Sequence, residues 1–163
     1  MSLDEPQAVE NTSRRVKRRI LIVDDDKAVR DSLKKVLDEM GYDVAVAADG
    51  DEGEKQFVAS APELVLLDLE LPKQDGWDVL GIISAQAPLI PIVIITGFRA
   101  QLDTTVIPGI SALFEKPIDV PLLLRTIEKL LAESPEQRLY RLTGQFLRGT
   151  SSVSRPWSAS SLK

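Results

Sequence analysis

Three short runs of the chain are apolar without interruption: Ile20–Val23, Leu64–Leu67 and Ile92–Ile95. A strand with one wet face alternates apolar and polar residues. A strand with no polar position must be covered on both sides, as in a parallel sheet. Two weaker runs, Val44–Ala47 and Ala112–Phe114, bring the set to five. Between the runs the period changes. After Asp26, a suitable N-cap, Val29, Leu33, Val36, Leu37 and Met40 fall on one helix face, and Gly41 follows where a left-handed residue ends a helix well. After Asp119 the pattern recurs at Val120, Leu123, Leu124, Ile127, Leu130 and Leu131, with Pro121 tolerated in the first turn. Shorter helical patterns lie around 50–59 and 76–86. Another, around 99–107, is weak, because Thr104, Thr105, Val106 and Ile107 are β-branched and Pro108 follows. Strand–helix alternation of this kind predicts an α/β fold: a doubly wound, five-stranded parallel sheet with helices on both faces.

The pattern divides the 163 residues into a flexible arm at 1–18, one domain at 19–133 and an extension at 134–163. In the extension, Leu139, Leu142, Phe146 and Leu147 have helical spacing, which admits a short helix at about 135–148. A Ser-rich tail or linker follows from 149. No apolar run reaches the roughly 18 residues of a membrane span, and the acidic N-terminus is unlike a signal peptide, so a cytoplasmic protein is the default expectation.

Charge and two missing residue types narrow the chemistry. The net charge is −5, but residues 20–132 alone hold 10 basic and 20 acidic residues. That argues against direct nucleic-acid binding by the domain. The basic run Arg14–Arg19 reads as a solvated arm. With neither Cys nor His, the chain has no thiolate, no imidazole base and no phosphohistidine of its own. Chemistry falls to carboxylates, hydroxyls, Lys, Arg and a hard cation.

Ligands of doubly wound sheets bind outside the carboxyl ends of the strands. There the first strand runs into Asp24, Asp25 and Asp26, the third into Asp68, the fourth into Thr96 and Gly97, and the fifth into Glu115, Lys116 and Pro117. Adjacent like charges repel, so the acidic end calls for a cation. Carboxylates suit Mg²⁺, which favours one or two of them together with water and a phosphate oxygen. A carboxylate can also act as a nucleophile and form an acyl phosphate. A Lys and a Thr would then neutralise and orient the phosphoryl oxygens. Asp26 reads as the helix cap rather than a ligand, and Trp77 as helix packing. Gly53 and Gly81 have no evident reason in the sequence.

Together these residues resemble the receiver domain of two-component response regulators, over about residues 19–133. The match rests on Asp24–Asp25, Asp68 with Pro72 and Gly76, Thr96–Gly97, and Lys116–Pro117. The resemblance implies strand order 2-1-3-4-5. It implies that Asp68 accepts a phosphoryl group from the phosphohistidine of a sensor histidine kinase or phosphotransfer protein. Asp25 and Asp68 would bind Mg²⁺, or Mn²⁺ in its stead, with Asp24 assisting and the backbone carbonyl of Glu70 as a further ligand. Thr96 and Lys116 would engage the phosphoryl group and act as the switch, and Pro117 would follow a cis peptide bond. The phosphorylated domain would bind an output protein or domain through the face of helix 4 (99–107), strand 5 and helix 5 (from Val120), and a homodimer is a further expectation. It would be a signalling domain, not an enzyme.

Two departures bear on output. The family's switch aromatic, three residues before the strand-five Lys, is Leu113 here, with Phe114 beside it. Glu70 and Phe98 occupy positions that tune phosphoryl lifetime in the family, and their size and charge predict a long-lived phospho-Asp68. Two other readings compete: a haloacid-dehalogenase-like Mg²⁺ phosphatase, whose D-x-D-x-T motif this chain lacks, and a degenerate receiver that only binds partners.

Overall fold

The computed structural model describes residues 16–97 and 109–149. Phe98, the helical pattern at 99–107, most of the N-terminal arm and the tail from 150 onward lie outside the described residues. The five apolar runs form β1 (Arg19–Val23), β2 (Asp43–Ala47), β3 (Leu64–Leu67), β4 (Ile92–Thr96) and β5 (Ala112–Glu115). They pair in parallel in the order β2-β1-β3-β4-β5. The uninterrupted runs take the middle places. Every residue of β3 and β4 is buried, as is all of β1 after Arg19, whereas β2 and β5 at the edges are only partly covered.

The described helices are α1 (Lys27–Glu39), α2 (Gly50–Ser60), α3 (Gly76–Gln86), α4 (Val120–Ala132) and α5 (Pro135–Gly149). The first four each begin at an Asp whose carboxylate accepts a first-turn N–H: Asp26, Asp49, Asp75 and Asp119. Such caps satisfy donors that a helix leaves unpaired. Gly41 has φ +89°, the left-handed conformation expected after α1. At α5, Ser134 Oγ accepts from Gln137 N at 3.2 Å while Gln137 Oε1 accepts from Ser134 N at 2.8 Å, a reciprocal cap.

The sheet separates two apolar layers. On one face Leu33 and Leu37 of α1 and Leu123, Ile127, Leu130 and Leu131 of α4 pack on Ile20, Ile22, Leu64, Leu66, Val93 and Ile95. On the other, Val79, Leu80 and Ile83 of α3, with Phe57 of α2, pack on Leu21, Val23, Val65, Leu67, Ile92 and Ile94. Burying each such side chain contributes about 1.5–3 kcal/mol. Gly53 now has a reason: a Cβ there would lie 3.1 Å from Val23 Cγ1, so the glycine lets α2 close onto the tip of β1. Around Gly81 there is open space.

Helix α5 extends past the last sheet-covering helix and is fastened at the amino ends of β4 and β5. Arg141 Nη1 donates to Ser111 Oγ at 2.9 Å, and Ser111 Oγ also accepts from Ile92 N at 3.2 Å. The Arg141 fork closes on Glu133, Nε to Oε2 at 3.2 Å and Nη2 to Oε2 at 3.0 Å.

Candidate functional site: an acidic cluster at the carboxyl ends of the strands

Parallel pairing brings the ends of β1, β3, β4 and β5 to one rim, and with them Asp24, Asp25, Asp68, Thr96 and Lys116. Asp24, Asp68 and Thr96 are buried, at 2%, 2% and 1% exposure, while Asp25 is exposed. Carboxylate oxygens of Asp24, Asp25 and Asp68 all lie within 4.8 Å of one another. Two buried carboxylates this close need a counter-charge. Lys116 is set between them, its Nζ 2.9 Å from Asp24 Oδ2 and 2.9 Å from Asp68 Oδ2.

The remaining oxygens are held by the loops. Asp24 Oδ1 accepts from Asp26 N at 2.8 Å, and Asp68 Oδ1 from Glu70 N at 2.9 Å. The main chain fixes the same positions: Asp24 N donates to Ala47 O at 3.1 Å, and Asp68 N to Val23 O at 2.8 Å. Gly76 is required by close approach, since a Cβ there would lie 2.5 Å from Asp68 O and 2.5 Å from Leu69 Cα. Lys116 N donates to Thr96 O at 3.0 Å, which ties the Thr and Lys strand ends together, and the Lys116–Pro117 peptide is cis.

Burial pushes the Asp24 carboxyl above its ordinary value, and the bonds from Lys116 and the Asp26 N–H only partly pull it back. Burial alone would lower the Lys116 ammonium, but its bonds to Asp24 and Asp68 outweigh that and raise it. The site thus holds three acids and one Lys, a surplus of negative charge that a divalent cation would help to balance.

Asp26 caps α1, accepting from Ala28 N at 2.9 Å and Val29 N at 3.3 Å, as its position after the first strand predicted. Trp77 packs against the α3-side apolar layer. The exposed Glu70 reaches across to β4, with Oε2 at 3.4 Å from the place a Cβ would take on Gly97. Leu113 and Phe114 point to opposite faces of the sheet. Phe114 is buried with the α1 and α4 layer, and Leu113 lies against the α3 layer. The neighbouring aromatic therefore does not stand in for the one that Leu113 replaces. Arg30, not among the residues singled out from sequence, joins the site: its Nη1 donates to Asp24 O at 2.6 Å. Its signal was a cation in the first turn of a helix, an end where the helix dipole disfavours positive charge.

Residues 20–128 match the family model of the response regulator receiver domain. The chain belongs to this family. As a receiver domain of two-component systems, it aligns with longer regulators. It is 33% identical over 133 residues to the transcriptional regulatory protein PdtaR of Mycobacterium tuberculosis, covering 80% of this chain and 63% of that protein. It is 36% identical over 86 residues to the alkaline phosphatase synthesis transcriptional regulatory protein PhoP of Bacillus subtilis, covering 53% of this chain and 36% of that one. The matches thus span from about a third to under two thirds of these curated relatives. A receiver domain protein from Methanospirillum hungatei superposes with TM-score 0.65 at 29% identity, covering 82% of this chain and 99% of that one. The response regulator TrrA of Thermotoga maritima, solved in complex with Mg²⁺–BeF, superposes with TM-score 0.61 at 31% identity, covering 69% of this chain and 98% of that one. The family match leaves the phosphatase reading without support. Among the described residues no helix is long and apolar enough to cross a membrane.

Proposed function

We propose that this receiver takes a phosphoryl group onto Asp68 and that the change at Asp68 alters partner binding. The observation that carries this is the convergence of three carboxylates, two of them paired to one Lys, with Asp68 among them at the end of a buried strand. In the transfer, an Asp68 carboxylate oxygen forms a P–O bond as the P–N bond of a phosphohistidine breaks, and the imidazole leaves with that electron pair. Asp25 and Asp68, with Asp24 and the Glu70 carbonyl, would hold Mg²⁺, or Mn²⁺ in its place. The ion supplies positive charge to the phosphoryl oxygens when bound.

The chain's own groups do the rest. Lys116, shared between Asp24 and Asp68, follows the new phosphoryl oxygens, which bring roughly two negative charges. Thr96, joined to Lys116 through the main chain, hydrogen-bonds the phosphoryl group. The shift reaches β5 and the flanking helices, which present a changed face to an output protein or domain. Leu113, smaller than an aromatic and set on the α3 side, gives this switch a different read-out from that of receivers with Tyr or Phe. The phosphodonor is a sensor kinase or a phosphotransfer protein, since the chain has no His. No turnover of external phosphorylated substrates is expected.

Intact mass after incubation with a small-molecule acyl phosphate tests the reading. Wild type gains one phosphoryl group with Mg²⁺ and none without it, and Asp68→Asn gains none. An unmodified wild type would favour a receiver that acts only as a binding module.

A further inference from the structure

Arg30 is an oddity until its partner is seen. It lies in the first turn of α1, a turn with no acidic residue, where positive charge opposes the helix dipole. Its neighbour Lys27 is answered by Asp31, one turn on, at 2.5 Å. Arg30 instead turns back toward the strand end, half-buried, and donates to the main-chain carbonyl of Asp24 at 2.6 Å.

That carbonyl belongs to the peptide joining Asp24 to Asp25, the two acidic residues that β1 contributes to the cluster. The N–H of Asp24 is fixed by Ala47 O and its carboxylate by Asp26 N and Lys116. Arg30 holds the one remaining polar group of Asp24. Setting the Asp24–Asp25 peptide plane places the Asp25 Cα, and so narrows the directions from which the exposed Asp25 carboxylate approaches Asp24 and Asp68. Without Arg30, that peptide is held from one side only, and Asp25 is free to swing toward solvent, away from two like charges.

We infer that Arg30 is a positioning residue for the cation: by holding the Asp24 carbonyl, it keeps Asp25 converged on Asp24 and Asp68. The inference rests on the proposed cation site. Two effects of Arg30 oppose each other there. Its hydrogen bond orders the ligands, which favours the cation, and its charge repels the cation. The charge is partly exposed and screened by solvent and salt, whereas the hydrogen bond acts directly on the ligand loop, so ordering wins. Groups that orient metal ligands in this way are typically worth about 10–100-fold in affinity.

The test is a calorimetric titration of the full chain with MgCl₂, for wild type, Arg30→Ala and Arg30→Lys, with acyl phosphate labelling rates measured against Mg²⁺ concentration. Arg30→Ala should weaken Mg²⁺ binding about tenfold. Arg30→Lys, which keeps a donor and a charge, should recover most of it. The labelling rate of Arg30→Ala should approach that of wild type at saturating Mg²⁺, a pattern that a general loosening of the fold would not give. Unchanged or tighter Mg²⁺ binding in Arg30→Ala, with wild type binding normally, overturns the inference and leaves the cation site standing. Wild type that binds no Mg²⁺ overturns the cation site itself.

Discussion

The two ends of the sheet each hold a charged cluster largely withdrawn from water, and the clusters differ in balance. At the amino end, Glu133 meets Arg141, and the spare N–H of Arg141 meets the Ser111 hydroxyl. One acid, one base and one hydroxyl leave nothing over. At the carboxyl end, Asp24 and Asp68 share the single ammonium of Lys116, and the Asp25 carboxylate lies beside them with no ion pair of its own among the described residues. A balanced cluster fastens two elements. A cluster with surplus charge at the mouth of a parallel sheet is a site waiting for an opposite charge.

The contrast can be broken at either end. The largest effect on stability is expected at the amino end. Removing one member of a largely buried pair strands the other, so Arg141→Met should cost about 3 kcal/mol, the low end for buried pairs because both side chains keep some exposure. Urea unfolding would measure it, and the response to Mg²⁺ should match that of wild type. Next comes the cation itself. Mg²⁺ at tenfold excess over its dissociation constant should stabilise wild type by about 1.4 kcal/mol, from ligand linkage alone. Asp25→Asn should gain almost none of this.

Smaller still is the effect of relieving the surplus. The folded-state carboxyl of Asp24 is raised by burial, so its ionised form costs stability in metal-free protein. Asp24→Asn should therefore melt above wild type in chelator at neutral pH. That advantage should shrink as pH falls through the raised value, and vanish below the ordinary value of 3.8. In Mg²⁺ the order should narrow or reverse. The smallest effect lies at high pH. Lys116 is raised above its ordinary 10.5, so its contribution is complete below 10.5 and fades as pH rises through the folded-state value. Over that alkaline step the melting temperature of wild type should fall more than that of Lys116→Met.

Much of the fold was legible in the sequence, because burial on both faces leaves continuous runs of Ile, Leu and Val between helical patterns. The strand-end acids were legible for a related reason: carboxylates directly after L-V-L-L or I-L-I-V have no local role as caps or surface charges. The amino-end lock was not legible. Ser111, Glu133 and Arg141 are ordinary polar residues, and only the turn of α5 back toward the starts of β4 and β5 brings them together. Arg30 went unnoticed and Gly53 stood without a reason, since each acts on a partner in another element, the Asp24 carbonyl and the Val23 side chain. That Leu113 and Phe114 lie on opposite faces follows from strand period alone; the apolar layer each one joins needed the packed helices.

The measurement that tests the account most directly is the melting temperature against Mg²⁺ concentration for wild type, Asp25→Asn and Glu133→Gln. The account predicts a saturable rise in wild type, about 3 °C for 1 kcal/mol in a chain of this size. It predicts the same rise from a lower start in Glu133→Gln, and a flat line in Asp25→Asn. A wild-type curve that ignores Mg²⁺, or an Asp25→Asn curve that follows it, would contradict the claim that the surplus charge at the carboxyl end is a cation site.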